Sequence, residues 1–252
     1  MNIRKSINNL LRRYGYSLEH YDEVGGLSFG LYQYRDNSGG FDYERYKEIQ
    51  TAGNVRKIEN VFVKEENIKF FAEYINSVLG TPRSGLCHGT RRGLEQTWFR
   101  KYLDCDVIGT EISHTAAEFP HTIQWDFHQV KDEWIGKFDF IYSNSFDHSY
   151  DPRACLRSWM SCVRPGGLCI IEHTSMHEFR RRKDPLDPFG APLEMMPYLI
   201  CDWAEGQFGV RRILRTPTKG RYDRSHGIVI QRFEKPDVSA QPRILDTASR
   251  AT

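Results

Sequence analysis

A chain of 252 residues with 39% hydrophobic residues is long enough for one domain with a sizeable core plus peripheral segments. Its formal net charge of +2 provides no global field for nucleic acid, and no apolar run reaches the roughly 18–20 residues needed to cross a bilayer. The N-terminus lacks the apolar stretch of a secretory signal, and the six cysteines form no CxxC pair, so a cytoplasmic protein with reduced, mostly buried thiols and no zinc site is expected.

Residues 1–14, "MNIRKSINNLLRRY", place Ile3, Ile7, Leu10 and Leu11 on one helical face and Arg4, Lys5, Arg12 and Arg13 on the other. Such a helix packs on the domain or a partner, or lies on a membrane surface. Residues 21–41 are rich in Gly, Tyr, Ser, Asn and Asp and read as loop; 42–60 are charged and helical in pattern. "EENIKFFAEYINSVLG" predicts an amphipathic helix with Ile68, Phe71, Ile75 and Leu79 inward and Gly80 ending it.

From Arg83 the rhythm changes. "SGLCHG" predicts a strand and turn, and "RRGLEQTWFRKYL" a helix with Leu94, Trp98 and Tyr102 inward. "CDVIGTEIS", "HTIQWDF" and "KFDFIYSNS" predict three strands, "DPRACLRSWMSCV" a helix, "RPGG" a turn and "LCIIEHT" a strand. "PLEMMPYLICDWAEG" predicts a helix kinked or split at Pro197, followed by strands "FGVRRILRTP" and "HGIVIQRF". Alternating strands and helices imply a doubly wound, mainly parallel α/β sheet with helices on both faces. The expected organisation is an N-terminal helical and loop extension over 1–64, an α/β domain over 65–235, and a disordered tail over 236–252.

Ligands of doubly wound sheets bind at the C-terminal ends of the strands. There Glu111 can accept hydrogen bonds from both hydroxyls of a ribose, and Asp126 can reach an adenine amino group. Ser143, Asn144 and Ser145 end the fourth predicted strand.

The run "FDFIYSNSFDHSYDP", "ACLRSWMSCV", "RPGGLCIIEHT" resembles the class I S-adenosylmethionine (SAM)-dependent methyltransferases, over about residues 83–175. The resemblance implies a seven-stranded sheet with its last strand antiparallel, and SAM as cofactor. The family loop reads acid-x-Gly-x-Gly-x-Gly. With Gly89 as the middle glycine, Gly85 stands at the acid, Cys87 at the first glycine and Arg91 at the third. The missing acid leaves the methionine ammonium to another carboxylate, Glu95 or one from the N-terminal region. Arg91 and Arg92 meet the cofactor carboxylate, an anionic substrate, or only solvent.

By this resemblance Cys87, His88, Gly89, Thr90, Glu111, Ile112, Asp126, Phe127 and Ser143 surround the cofactor. Asn144 and His148 stand at the point of transfer, where a histidine near its ordinary pKa can take a proton from a hydroxyl. Asp147, Glu172, His173, Arg180, Arg181 and Arg182 face the acceptor, with "FRRRKDPLDPFGAP" as a lid. No metal is expected. The acceptor implied is a small molecule or glycan precursor with a sugar-like hydroxyl, and not nucleic acid. The eroded glycine loop leaves a non-catalytic binding module as the alternative. A nicotinamide enzyme is disfavoured, since no G-x-G-x-x-G follows the first strand.

Overall fold

The structure, a computed structural model, describes residues 28–178, 185–219 and 224–234, with the backbone alone of 16–20. The basic N-terminal helix, Phe179 to Lys183 with the three arginines, and the 236–252 tail lie outside the described residues.

Seven strands form the central sheet: β3 (Ser84–His88), β4 (Asp106–Glu111), β5 (Thr122–Gln124), β6 (Phe138–Ser143), β7 (Val163–His173), β9 (Phe208–Lys219) and β10 (Arg224–Arg232). Their order is β5-β4-β3-β6-β7-β10-β9. β3 pairs in parallel with both β4 and β6, so strand order reverses at β3 and a crevice opens beyond its C-terminal end. β10 runs antiparallel to both β7 and β9. The expected topology is therefore present.

Strand alternation builds the layers. Leu86, Ile141, Cys169 and Ile171 point to one face, against α4 (Pro152–Cys162) and α5 (Met196–Ala204). Cys87, Phe140, Tyr142 and Ile170 point to the other, against α2 (Glu65–Leu79) and α3 (Leu94–Leu103). α4 starts where Asp151 accepts the Ala154 N–H and Pro152 occupies the first turn. α2 ends at Gly80, with φ +73°. α1 (Tyr43–Arg56) is capped by Asp42, and its inward face is Tyr46, Gln50, Gly53 and Asn54. No described helix is long and apolar enough to cross a membrane.

Four local expectations are corrected. Residues 28–32 are a strand, β2 (Ser28–Tyr32), in a small antiparallel sheet between β1 (Tyr16–His20) and β8 (Phe189–Gly190). One of its two partners, β8, is distant in sequence, and Phe29, Leu31 and Tyr32 stand among turn-forming residues. α3 buries Glu95, Gln96, Phe99 and Leu103, while Trp98 and Tyr102 are half-buried. "RPGG" is an irregularity inside β7, where Val163 pairs with Phe138 and Leu168 with Phe140. Pro197 lies in the first turn of α5, where its missing N–H costs nothing.

Candidate cofactor and acceptor site

After β3 the chain turns at Gly89, with φ +69°. The N–H groups of Gly89 and Thr90 both donate to Thr110 O, at 2.9 and 3.1 Å. A Cβ on Gly89 would lie 2.7 Å from Ser145 Cβ, so this position must be glycine for β3 and β6 to meet here. Arg91 follows at φ +44°. Its N–H donates to Glu111 Oε2 at 3.1 Å, and the Ser113 N–H donates to Oε1 at 3.0 Å. Burial pushes the Glu111 carboxyl up, and the two N–H groups only partly oppose it. Two accepted N–H groups leave lone pairs of this carboxylate for further donors. The Thr90 Oγ1 is buried without a partner.

The narrow end of the crevice lies beyond β5. Asp126 Oδ1 accepts from the backbone N–H and Nδ1 of His128, while Oδ2 is buried and forms no hydrogen bond. Burial raises the Asp126 carboxyl, but His128, with the nearby Tyr43 hydroxyl, outweighs it and leaves the carboxyl lowered. The Tyr43 approach falls short of hydrogen-bond geometry, since Oδ2 remains unpartnered. A cavity of about 50 Å³ separates Glu111, Ile112, Asp126 and Phe127 from Tyr46 and Gln50 of α1.

The crevice widens at the other end into a cavity of about 540 Å³. Asn144, Asp147, His148, Glu172 and His177 line it with Thr90, Arg91 and Glu95, and Val61, Phe62 and Lys64 form the facing wall. His148 lines both cavities. Its Nδ1 donates to Leu186 O at 2.5 Å, and its Nε2 lies 3.7 Å from Asp187 Oδ1. At His177 the role of Nδ1 is reversed. Its Nδ1 accepts the Thr174 N–H at 3.3 Å, so its proton lies on Nε2, 3.8 Å from Asp147 Oδ2. Among the described residues, Asp147, His148 and Asp187 bring one ligand-capable atom each within 4.8 Å of one another.

Residues 86–171 match the family model described as a methyltransferase domain. Over those residues the chain resembles the SAM-dependent methyltransferases, and its sheet has their fold. The N1-methyltransferase of 1,6-didemethyltoxoflavin from Burkholderia thailandensis, solved with 1,6-didemethyltoxoflavin and S-adenosylhomocysteine, superposes with a TM-score of 0.58 at 14% identity. The superposition covers 85% of this chain and 99% of that one. The plantazolicin methyltransferase BpumL, solved with a triazolic desmethyl analogue and S-adenosylhomocysteine, gives 0.57 at 11% identity, covering 76% and 98%. The N-methyltransferase NodS of Bradyrhizobium japonicum, also solved with S-adenosylhomocysteine, gives 0.53 at 12%, covering 73% and 99%. At these identities the likeness is one of fold. No curated protein matches the sequence at a significant level.

The crevice gathers most of the residues expected there: Gly89, Thr90, Glu111, Ile112, Asp126, Phe127, Asn144, Asp147, His148 and Glu172 all line one of its two cavities. Four others point elsewhere. Cys87 packs in the core beneath α2 and α3. The His88 ring stacks on Trp159 at 4.8 Å with Nδ1 2.8 Å from Thr110 Oγ1, and burial pushes its pKa down to about 3. Ser143 Oγ donates to His88 O at 2.9 Å and ties the ends of β3 and β6 together. His173 Nε2 donates to Ala191 O at 3.0 Å, away from the cavity, and burial lowers its pKa to about 4. The alternation of a strand accounts for each, since side chains at its end point into the core layers and not along its axis. His177, Phe62 and Gln50 were not expected in the site. They come from segments with no motif, brought in by packing.

Proposed function

We propose that this protein is a SAM-dependent methyltransferase that moves a methyl group to a hydroxyl of a small, polar, sugar-like acceptor bearing an anionic group. One arrangement carries this reading: Glu111 and Asp126, at successive strand ends beside the Gly89 turn, open into a cavity that presents His148.

The residues fit the cofactor. Asp126 Oδ2 and Thr90 Oγ1 are buried without partners. Each such atom costs about 1–3 kcal/mol, which a ligand donor offsets. Asp126 would accept from the adenine amino group, and Glu111 from the ribose hydroxyls. SAM, when bound, supplies a methyl group already activated on a sulfonium, so the protein's main task is alignment, worth about 7–11 kcal/mol. His148 Nε2 takes the hydroxyl proton as the new oxygen–carbon bond forms, and Asp187 at 3.7 Å favours the resulting imidazolium. Lys57, Lys64 and Arg91 line the wide cavity, which supports an acceptor carrying phosphate or carboxylate. A glycan precursor has this chemistry.

The test has two parts. Calorimetry with S-adenosylhomocysteine measures the cofactor site. Transfer of label from methyl-tritiated SAM into sugar phosphates, uronic acids and amines then identifies the acceptor class. A labelled methyl ether supports the proposal. Label only in amines overturns hydroxyl transfer, and binding without any transfer favours the non-catalytic alternative.

A further inference from the structure

We propose that Glu95 and Arg91 together clamp the zwitterionic amino-acid arm of the cofactor, Glu95 taking the ammonium and Arg91 the carboxylate. This rests on the cofactor reading above and assigns the part of the ligand that Glu111 and Asp126 do not reach.

The assignment follows from which acids around the wide cavity are already satisfied. Glu59 is bonded to Arg92 at 3.1 Å. Glu172 accepts from the Tyr142 and Ser225 hydroxyls, and from the Asn67 amide at 3.0 Å. Asp147 faces His177 at 3.8 Å. Glu95 lines the same cavity, is only 7% exposed, and among the described residues accepts no hydrogen bond from another side chain. Its own backbone N–H is the one donor turned toward it among the described residues, and a buried carboxylate so poorly satisfied calls for a cation. Arg91 is its complement: the guanidinium lies 5.0 Å from the Phe62 ring centre, one NH donates to Asn60 O at 3.2 Å, and Nε is buried without a partner. Arg91 lies in the turn before Gly93, and Glu95 in the first turn of α3, where the helix dipole also favours a carboxylate.

The loop position where the family carries an acid cannot do this work here. A Cβ on Gly85 would lie 2.3 Å from Phe140 Cζ, so the Phe140 ring occupies that space. Burial raises the Glu95 carboxyl to about 8. The ionisable groups around it are Arg91 beside it in the loop, Glu111 of β4 and Glu172 of β7, with Cys87 of β3 and Tyr142 of β6 beneath. An ammonium in the site requires the ionised form, so below pH 8 binding releases a proton.

Calorimetry on the full chain compares S-adenosylhomocysteine with 5′-methylthioadenosine, which has the same nucleoside and thioether but neither charged group. The wild type should bind the homocysteine compound more tightly. Its affinity should rise by up to about tenfold per pH unit toward pH 8, while methylthioadenosine binding stays flat. Glu95→Gln should weaken S-adenosylhomocysteine by about 10- to 100-fold, abolish the pH slope and leave methylthioadenosine unchanged. Arg91→Gln should also weaken the homocysteine compound selectively. Gln matches the protonated carboxyl in shape, and methylthioadenosine binding reports that the variant is folded. If Glu95→Gln does not fold, the wild-type pH slope decides alone. Equal losses for both ligands, or an unchanged or pH-independent homocysteine affinity, overturn the clamp while the cofactor reading stands. Binding of neither ligand by the wild type overturns both.

Discussion

Asp126 and His128 form a buried pair in which one carboxylate oxygen accepts both the backbone N–H and the ring Nδ1–H of the histidine, at 2.9 and 2.8 Å. The Tyr150 N–H donates to Nε2 at 3.2 Å, so the ring is neutral with its proton directed at Asp126. The pair fixes Asp126 and leaves its second oxygen unpartnered in the crevice. Asp126→Ala should weaken S-adenosylhomocysteine about 10- to 100-fold, and much less for the inosine analogue, which lacks the amino group. It should also cost about 1–3 kcal/mol of stability, because His128 Nδ1 loses its partner. Calorimetry and urea unfolding measure the two effects.

Acid should destabilise the protein through its buried histidines. Burial lowers the pKa of His88 to about 3 and of His173 to about 4, and lowers that of His128. In the unfolded chain each titrates near about 6.5. Below that pH the unfolded state binds more protons than the folded state. Their contribution is therefore complete above about pH 6.5 and declines as pH falls toward 4, by up to about 1.4 kcal/mol per pH unit for each histidine. Urea unfolding between pH 7 and 4.5 should show this slope, and His88→Phe should reduce it by one proton.

Gly89→Ala should be costly for two separable reasons. The left-handed φ of +69° disfavours any Cβ by about 1–2 kcal/mol. Ser145 Cβ, 2.7 Å from the added methyl, must also move. Adding Ser145→Gly removes the second obstacle and not the first. Partial recovery of thermal stability in the double variant is expected. Full recovery would mean that the turn tolerates alanine.

His148→Gln should keep S-adenosylhomocysteine affinity within about threefold while lowering methyl transfer about 10²- to 10⁴-fold, the usual contribution of a positioned base. Initial rates at saturating acceptor, alongside calorimetry, separate these quantities. Normal rates would remove proton transfer from His148.

Much of this protein is legible along the chain. The order of strands and helices, the glycine turn after β3, and the acids Glu111 and Asp126 past successive strands follow from short-range periodicity and spacing. These are local properties, set by 3.6- and 2-residue repeats within one element. The structure decides what depends on partners far apart in sequence. β2 pairs with β1 on one side, and on the other its Gly30 and Leu31 pair with the distant Gly190 and Phe189. α3 turns Glu95 inward and leaves Trp98 half-buried because the sheet beneath it, and not its own pattern, chooses the face. Phe140 of β6 fills the space a side chain at Gly85 would need, and Glu95 is left in the cavity without a side-chain donor among the described residues. A residue's identity is written in the sequence, but the atoms that satisfy or crowd it are supplied by packing, and that balance determines which side chains can take part in binding and chemistry.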